Sequence, residues 1–178
     1  MSDTLGLVQI GSTCEYPLDT LRAQVSEKFS GFQVRTLQPL EEPREAYDSL
    51  RDQYHSTRIL ALLEEFVATI RVDKLLGVTP FDLYVPGMNF VFGEARCPGR
   101  VAVISTSRLK TASVNKLNLF GERVVKEAVH ETGHMFGLKH CSEPSCVMYF
   151  SERLADTDTK QSNFCRDCGL KLKWVEVE

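Results

Sequence analysis

The sequence predicts an α+β fold, a mixed and twisted sheet packed against helices and followed by a small C-terminal lobe. Three observations predict it. Short apolar runs alternate with two stretches of helix-spaced apolar residues, three more short runs follow, and a third long helix leads into a terminal segment carrying paired cysteines. At 178 residues, 43 % hydrophobic and 25 % charged, the chain suits one domain, 1–178, with a substantial core. Within it an upper part, 1–137, precedes a lower part, 138–178.

Leu5–Ile10 is a short apolar strand ending at Gly11. Pro17 can open a helix as its first residue, and Leu18, Leu21, Val25 and Phe29 recur at helical spacing until Gly31. Phe32–Leu37 alternates like a strand, and Pro39 and Pro43 mark a polar loop. Ser56 or Thr57 can cap a second helix, whose Ile59, Leu60, Leu63, Phe66, Val67 and Ile70 form one broad apolar face. Gly77 and Pro80 read as the next turn. Strands are expected near Phe81–Val85, Asn89–Phe92 and Val101–Ser105, and a third helix over about Glu122 to Phe136.

A net charge of −3 argues against a nucleic-acid or anionic-membrane partner. No apolar stretch approaches the roughly 20 residues of a membrane helix. Met1 to Gly6 lack the basic, apolar and small-residue regions of a secretory leader. A cytoplasmic protein, monomeric by default, is the expectation.

The third helix carries most of the chemistry. Residues 130–140 read His-Glu-Thr-Gly-His-Met-Phe-Gly-Leu-Lys-His and hold three of the four histidines. Two histidines four apart share a helix face, with Cβ atoms roughly 5–6 Å apart, a span one zinc ion can bridge. Glu131, one step round, can reach a water on that metal. Gly137 lets the chain leave the helix through a left-handed residue, and the turn returns His140 to the same ion. Three neutral imidazoles with an open fourth position describe a catalytic zinc site. An ordinary amphipathic helix with surface histidines is the alternative. The remaining histidine, His55, precedes the second helix and reads as a local hydrogen-bonding residue.

Cys165-Arg-Asp-Cys168 is a knuckle-like pair, and Cys141 and Cys146 form a looser one, both within zinc-ligand spacing. Two disulfides or reduced core cysteines are the alternatives. Disulfides suit small secreted chains, so paired cysteines here point to a second, structural zinc. Cys14 and Cys97 read as free thiols.

The lengthened histidine pattern, with Met148 eight residues after His140, resembles that of the metzincin zinc peptidases. Cys141 directly after His140, then Cys146, Cys165 and Cys168, together with Asn89-Phe-Val-Phe-Gly-Glu-Ala95 and Arg51-Asp-Gln-Tyr54, resembles the archaemetzincin family over most of the chain. The resemblance implies a zincin-like (metzincin) fold and a zinc-dependent metallopeptidase acting on peptide or protein substrates. It implies two Zn²⁺ per chain: a catalytic ion on His130, His134 and His140, with Glu131 activating a zinc-bound water, and a structural ion on Cys141, Cys146, Cys165 and Cys168. Met148 would form the floor beneath the first. Phe90, Val91, Phe92, Gly93 and Glu94 would be the edge strand that pairs with substrate, although the residues equally permit a plain strand with a glycine at a bend. Several metzincin groups carry a tyrosine two residues after the methionine. Phe150 stands there in this chain, and Tyr149 is given no such role.

Two inferences extend this reading. His140 and Cys141 are joined by one peptide bond, so the thiolate metal is expected to position both His140 and the Met148 turn. A metal-binding or interaction protein that keeps the fold with little hydrolysis is the competing function, and the retained base at Glu131 argues against it.

Overall fold

The computed structural model describes residues 3–13, 15–110 and 117–175, with the side chains of 117 and 173–175 left aside. Cys14 and the Trp174 side chain therefore lie outside the described residues.

Four strands run parallel at the centre: β1 (Thr4–Gln9), β2 (Gln33–Thr36), β5 (Lys74–Thr79) and β8 (Val101–Ser105), with β7 (Gly93–Ala95) antiparallel at the edge, in the order β2-β1-β5-β8-β7. Side-chain alternation divides the core in two. Leu5, Leu7, Leu76, Val78, Ala102 and Ile104 face α1 (Leu18–Lys28) and α3 (Leu117–Met135). Val8, Ile10, Leu75, Val101 and Val103 face α2 (Ser56–Thr69). A sheet buried on both faces needs strands that are apolar throughout, and β8 is buried along its whole length. Three short strands, β3 (Tyr47–Asp48), β4 (Gln53–His55) and β6 (Leu83–Tyr84), form a second sheet beside the first. The lower part carries α4 (Leu154–Thr159) and α5 (Arg166–Val175).

Several expectations need correction. The stretch read as a turn at Gly77 is β5, which lies between β1 and β8. Gly77 interrupts nothing there. A Cβ at this position would meet Ile10 Cδ1 at 2.7 Å and Leu63 Cδ1 at 3.1 Å, so the glycine makes room for α2 on the sheet. Pro17 caps α1 from outside instead of beginning it, and Ser56 is the first residue of α2, preceded by His55. The strand expected at Asn89–Phe92 is displaced to Gly93–Ala95. The carbonyls of Met88 and Asn89, which a ladder would use, accept from the Arg51 guanidinium instead.

Candidate metal centre and active site

Helix α3 runs beneath the sheet with Val124, Val125, Ala128 and Val129 buried, which turns His130, Glu131 and His134 towards the edge strand β7. The helix ends at Met135. Gly137 adopts φ 86 and donates its N–H to the His134 carbonyl at 2.8 Å, and Leu138 N–H reaches Gly133 O at 3.1 Å. That left-handed exit swings His140 back beside the helix. Its ring centroid lies 5.3 Å from His130 and 4.9 Å from His134.

Two backbone carbonyls settle the tautomers. His130 Nδ1 donates to Val147 O at 2.7 Å, and His134 Nδ1 donates to Leu138 O at 2.6 Å, since a carbonyl can only accept. Both Nε2 atoms therefore present lone pairs, and these converge at 3.1 Å. Burial pushes all three histidines below the ordinary imidazole value, most strongly His130, so the unprotonated ring is favoured. Two nitrogens bound tetrahedrally at about 2.0–2.1 Å stand about 3.3 Å apart. One ligand atom from each histidine falls within 4.8 Å of the others. The donor set fits a divalent metal of zinc type.

Glu131 is buried, and burial first, then the nearby Glu127 carboxylate, pushes its carboxyl well above the usual carboxylate range. It lies directly against Gly93, where a Cβ would stand 2.7 Å from both Glu131 Cγ and Oε1. Met148 is fully buried under the helix, its Sδ 2.6 Å from the Cβ position of Gly133. A glycine inside a long helix costs about 1 kcal/mol relative to alanine. The sulfur beneath it explains this one.

The four cysteines of the lower part also converge. Their Sγ atoms lie within 4.8 Å of one another, and Cys141 Sγ stands 3.8 Å from Cys165 Sγ. Tetrahedral zinc with bonds of about 2.3 Å separates its sulfurs by about 3.8 Å, whereas a disulfide requires about 2.05 Å. All four are free thiols. Backbone N–H groups of Glu143 and Cys165 donate to Cys141 Sγ and Cys146 Sγ, as they would to thiolates. Hydrogen bonding from the Cys168 amide holds the Cys165 thiol below its ordinary value, while burial pushes Cys146 and Cys168 up. Cys97, also a free thiol, donates to Leu138 O at 3.5 Å.

A cleft of about 560 Å³ opens over the histidines. Phe90, Val91, Phe92, Gly93 and Glu94 line it with His130, Glu131, His134 and His140, and Phe150 stands over His140 at 4.8 Å between ring centroids. Of the expected edge segment, Gly93 and Glu94 belong to β7, and Phe92 is buried. The Glu94 carboxylate, within the cleft wall, accepts from the Ser56 and Thr57 hydroxyls at the start of α2. The hydrogen bond expected of His55 is not made at one ring nitrogen. Its Nδ1 is buried without a partner and its ring rests 5.1 Å from Tyr84.

Charge inside the fold escaped the sequence reading. Lys160, wholly buried, pairs with Glu127 at 2.9 Å one helical turn before Glu131, and Thr157 Oγ1 donates to the same carboxylate. The i, i+4 placement of Glu127 and Glu131 was the available signal.

Comparison with known proteins places this arrangement among zinc peptidases. The profile of peptidase family M54 matches residues 24–174. The archaemetzincin of Methanopyrus kandleri is 48 % identical over 131 residues, covering 74 % of this chain and 72 % of that one. The archaemetzincin of Pyrococcus furiosus is 37 % identical over 184 aligned positions, covering 97 % and 94 %. The crystal structure of the Methanopyrus kandleri archaemetzincin superposes with a TM-score of 0.87 at 40 % identity, covering 99 % of this chain and 96 % of that one. That of the Archaeoglobus fulgidus archaemetzincin, complexed with malonate, gives 0.82 at 42 %, covering 94 % and 99 %.

Proposed function

Because this chain belongs to peptidase family M54, the archaemetzincins, and so is a zinc metallopeptidase, we propose a residue-level account of its site. His130, His134 and His140 hold the catalytic zinc, Glu131 is the catalytic base, and Cys141, Cys146, Cys165 and Cys168 hold a second, structural zinc. The convergence of the His130 and His134 Nε2 lone pairs beside the buried Glu131 carries this reading.

A zinc ion held by the histidines supplies a Lewis acid that brings water within reach of deprotonation near neutral pH and polarises a carbonyl. The protein's own groups do the rest. The carbonyls of Val147 and Leu138 fix two imidazoles in the tautomer that leaves Nε2 bare. Glu131 takes the proton of the attacking water on a carboxylate oxygen and returns it to the leaving amine, base first and acid second. Burial of that carboxyl suits it to hold the proton between the two transfers. Met148 shapes the floor under Gly133, on the helix that carries His130 and His134.

The substrate is a peptide or protein chain lying along β7. That strand is the edge of the sheet, so one side of it is spoken for by β8 and the other is open to main-chain pairing, with Phe90–Phe92 continuing the wall. The chain acts as a monomer in the cytoplasm, a reducing compartment that keeps the four thiols available to metal. No nucleic acid or membrane takes part. Among the described residues no helix is long and apolar enough to cross a membrane.

Cleavage of a peptide library by the zinc-loaded protein, wild type against Glu131→Ala, tests the assignment. The variant should keep two zinc ions per chain and lose about 10²- to 10⁴-fold in rate. Wild-type rates in that variant would remove Glu131 from the mechanism.

A further inference from the structure

One stretch of seven residues, 51–57, makes all of the following side-chain anchors to the cleft wall. Arg51 Nη2 donates to the carbonyls of both Met88 and Asn89, at 2.9 and 3.0 Å. Gln53, itself buried, adds a bond from Nε2 to Asn89 O at 2.9 Å. Ser56 and Thr57 hold the Glu94 carboxylate, Thr57 Oγ1 at 2.9 and 3.0 Å from its two oxygens. Arg51 is braced in turn by Gln53 Oε1 at 2.9 Å and by the Tyr84 ring, 4.2 Å from its guanidinium carbon. Between Arg51 and Gln53, Asp52 adopts φ 53.

These anchors act on the wall that faces the chemistry. Gly93 rests on the Glu131 carboxylate, and Met88 and Phe90 line the same cleft. Carbonyls of an exposed loop ordinarily turn to water. Here one guanidinium gathers two of them, which fixes the loop before the edge strand, while Glu94 fixes the strand itself. We propose that residues 51–57 are a positioning element for substrate, setting the height and register of the edge segment 88–94 over Glu131. This rests on the reading of Phe90–Glu94 as the strand along which substrate lies.

Arg51 is at the surface, so Arg51→Met removes the anchor without opening the core. The probe is the peptide that the zinc-loaded wild type cleaves best in a library. Arg51→Met should raise KM by about tenfold, the worth of one charged hydrogen bond, with kcat within about twofold and zinc content unchanged. Amide exchange at Met88–Phe92 should accelerate. Arg51→Lys, able to hold one carbonyl, should fall between, and Thr57→Val should shift KM in the same direction. Faster exchange with unchanged KM would overturn the proposal, as would a fall in kcat that tracks loss of zinc. The strand reading has its own control: methylating alternate backbone nitrogens of the probe should weaken binding to the wild type. Indifference to methylation would sink the strand reading, while the KM of Arg51→Met still decides whether 51–57 positions the wall.

Discussion

Replacing Cys165 and Cys168 with serine should weaken metal binding at the histidines, although neither cysteine touches them. The structure supplies the connections. His140 and Cys141 share a peptide bond, Cys141 N–H donates to Met148 O at 2.9 Å, and Cys141 and Tyr149 form a β-bridge. Val147, next to Cys146, provides the carbonyl that orients His130, and its own N–H is held by Asn163 O at 3.0 Å, two residues before Cys165. Loosening the cysteine cluster would therefore free the carbonyl that orients His130 and the backbone of His140 together. Loss of an orienting partner alone costs about 10- to 100-fold in metal affinity, or about 1.4–2.7 kcal/mol. That is the minimum expected here, because His140 moves as well. The assay is zinc titration of metal-free protein against a chromophoric chelator, with His134→Ala identifying which step belongs to the histidines. A doubly substituted protein that binds one zinc with the wild type's histidine-site affinity, and cleaves at the wild-type rate, would refute the reasoning.

Three further outcomes are expected. Lys160→Met should lower stability by about 3–5 kcal/mol by stranding the buried Glu127 carboxylate, which calorimetry should register as a fall in Tm of roughly 6–20 °C for a chain this size; a change near zero would mean that the pair contributes nothing net. Gly93→Ala should cut kcat by about 10- to 100-fold with zinc retained, because the new methyl meets Glu131 on one side and the Val103 carbonyl at 2.8 Å on the other. In metal-free protein, burial raises the Glu131 carboxyl above its ordinary 4.5, so the folded chain holds a proton that the unfolded chain has released, and stability falls as pH rises through that window by at most about 1.4 kcal/mol per unit. Glu131→Gln lacks this term. Its advantage in urea denaturation should grow from pH 4.5 upward, and parallel curves would contradict it. The buried histidines act with the opposite sign, losing stability as pH falls below 6.5, and do so in both proteins.

What could be read from the sequence was what is local in sequence. The three histidines and Gly137 occupy eleven consecutive residues, and each cysteine pair carries its own spacing, so the two side-chain clusters were legible before any fold was known. Strand β8 was placed to the residue because Val101–Ser105 is short, apolar and bounded by turn residues. Strand β5 was missed because Gly77 and Pro80 carry the marks of a turn, and only Ile10 and Leu63, far away in sequence, give that glycine its reason. The Glu127–Lys160 pair is hidden from the sequence for the same cause. The i, i+4 spacing of Glu127 and Glu131 marks two carboxylates on one helix face, but it does not name a partner more than thirty positions away. Arg51-Asp-Gln-Tyr54 was noticed as a pattern, but its role lies in carbonyls of a loop that the sequence assigned to a strand.

The contacts between α3 and the lower part bear on why the histidine and cysteine clusters are built as one unit. Through the middle of α3, from Arg123 to Glu127, the seam carries charged side chains. Arg123 grips Asp158 with two nitrogens at 2.6 and 2.7 Å, Lys126 Nζ reaches the carbonyls of Thr157 and Asp158, and Glu127 takes Lys160. A bidentate guanidinium–carboxylate pair permits one register. The register matters because the lower part must bring Val147 O to His130 Nδ1 and Leu138 O to His134 Nδ1, at hydrogen-bond lengths that leave no room for a slip. The charged seam and the cysteine cluster thus constrain the same lobe from opposite ends, α4 against the helix and α5 against the thiolates.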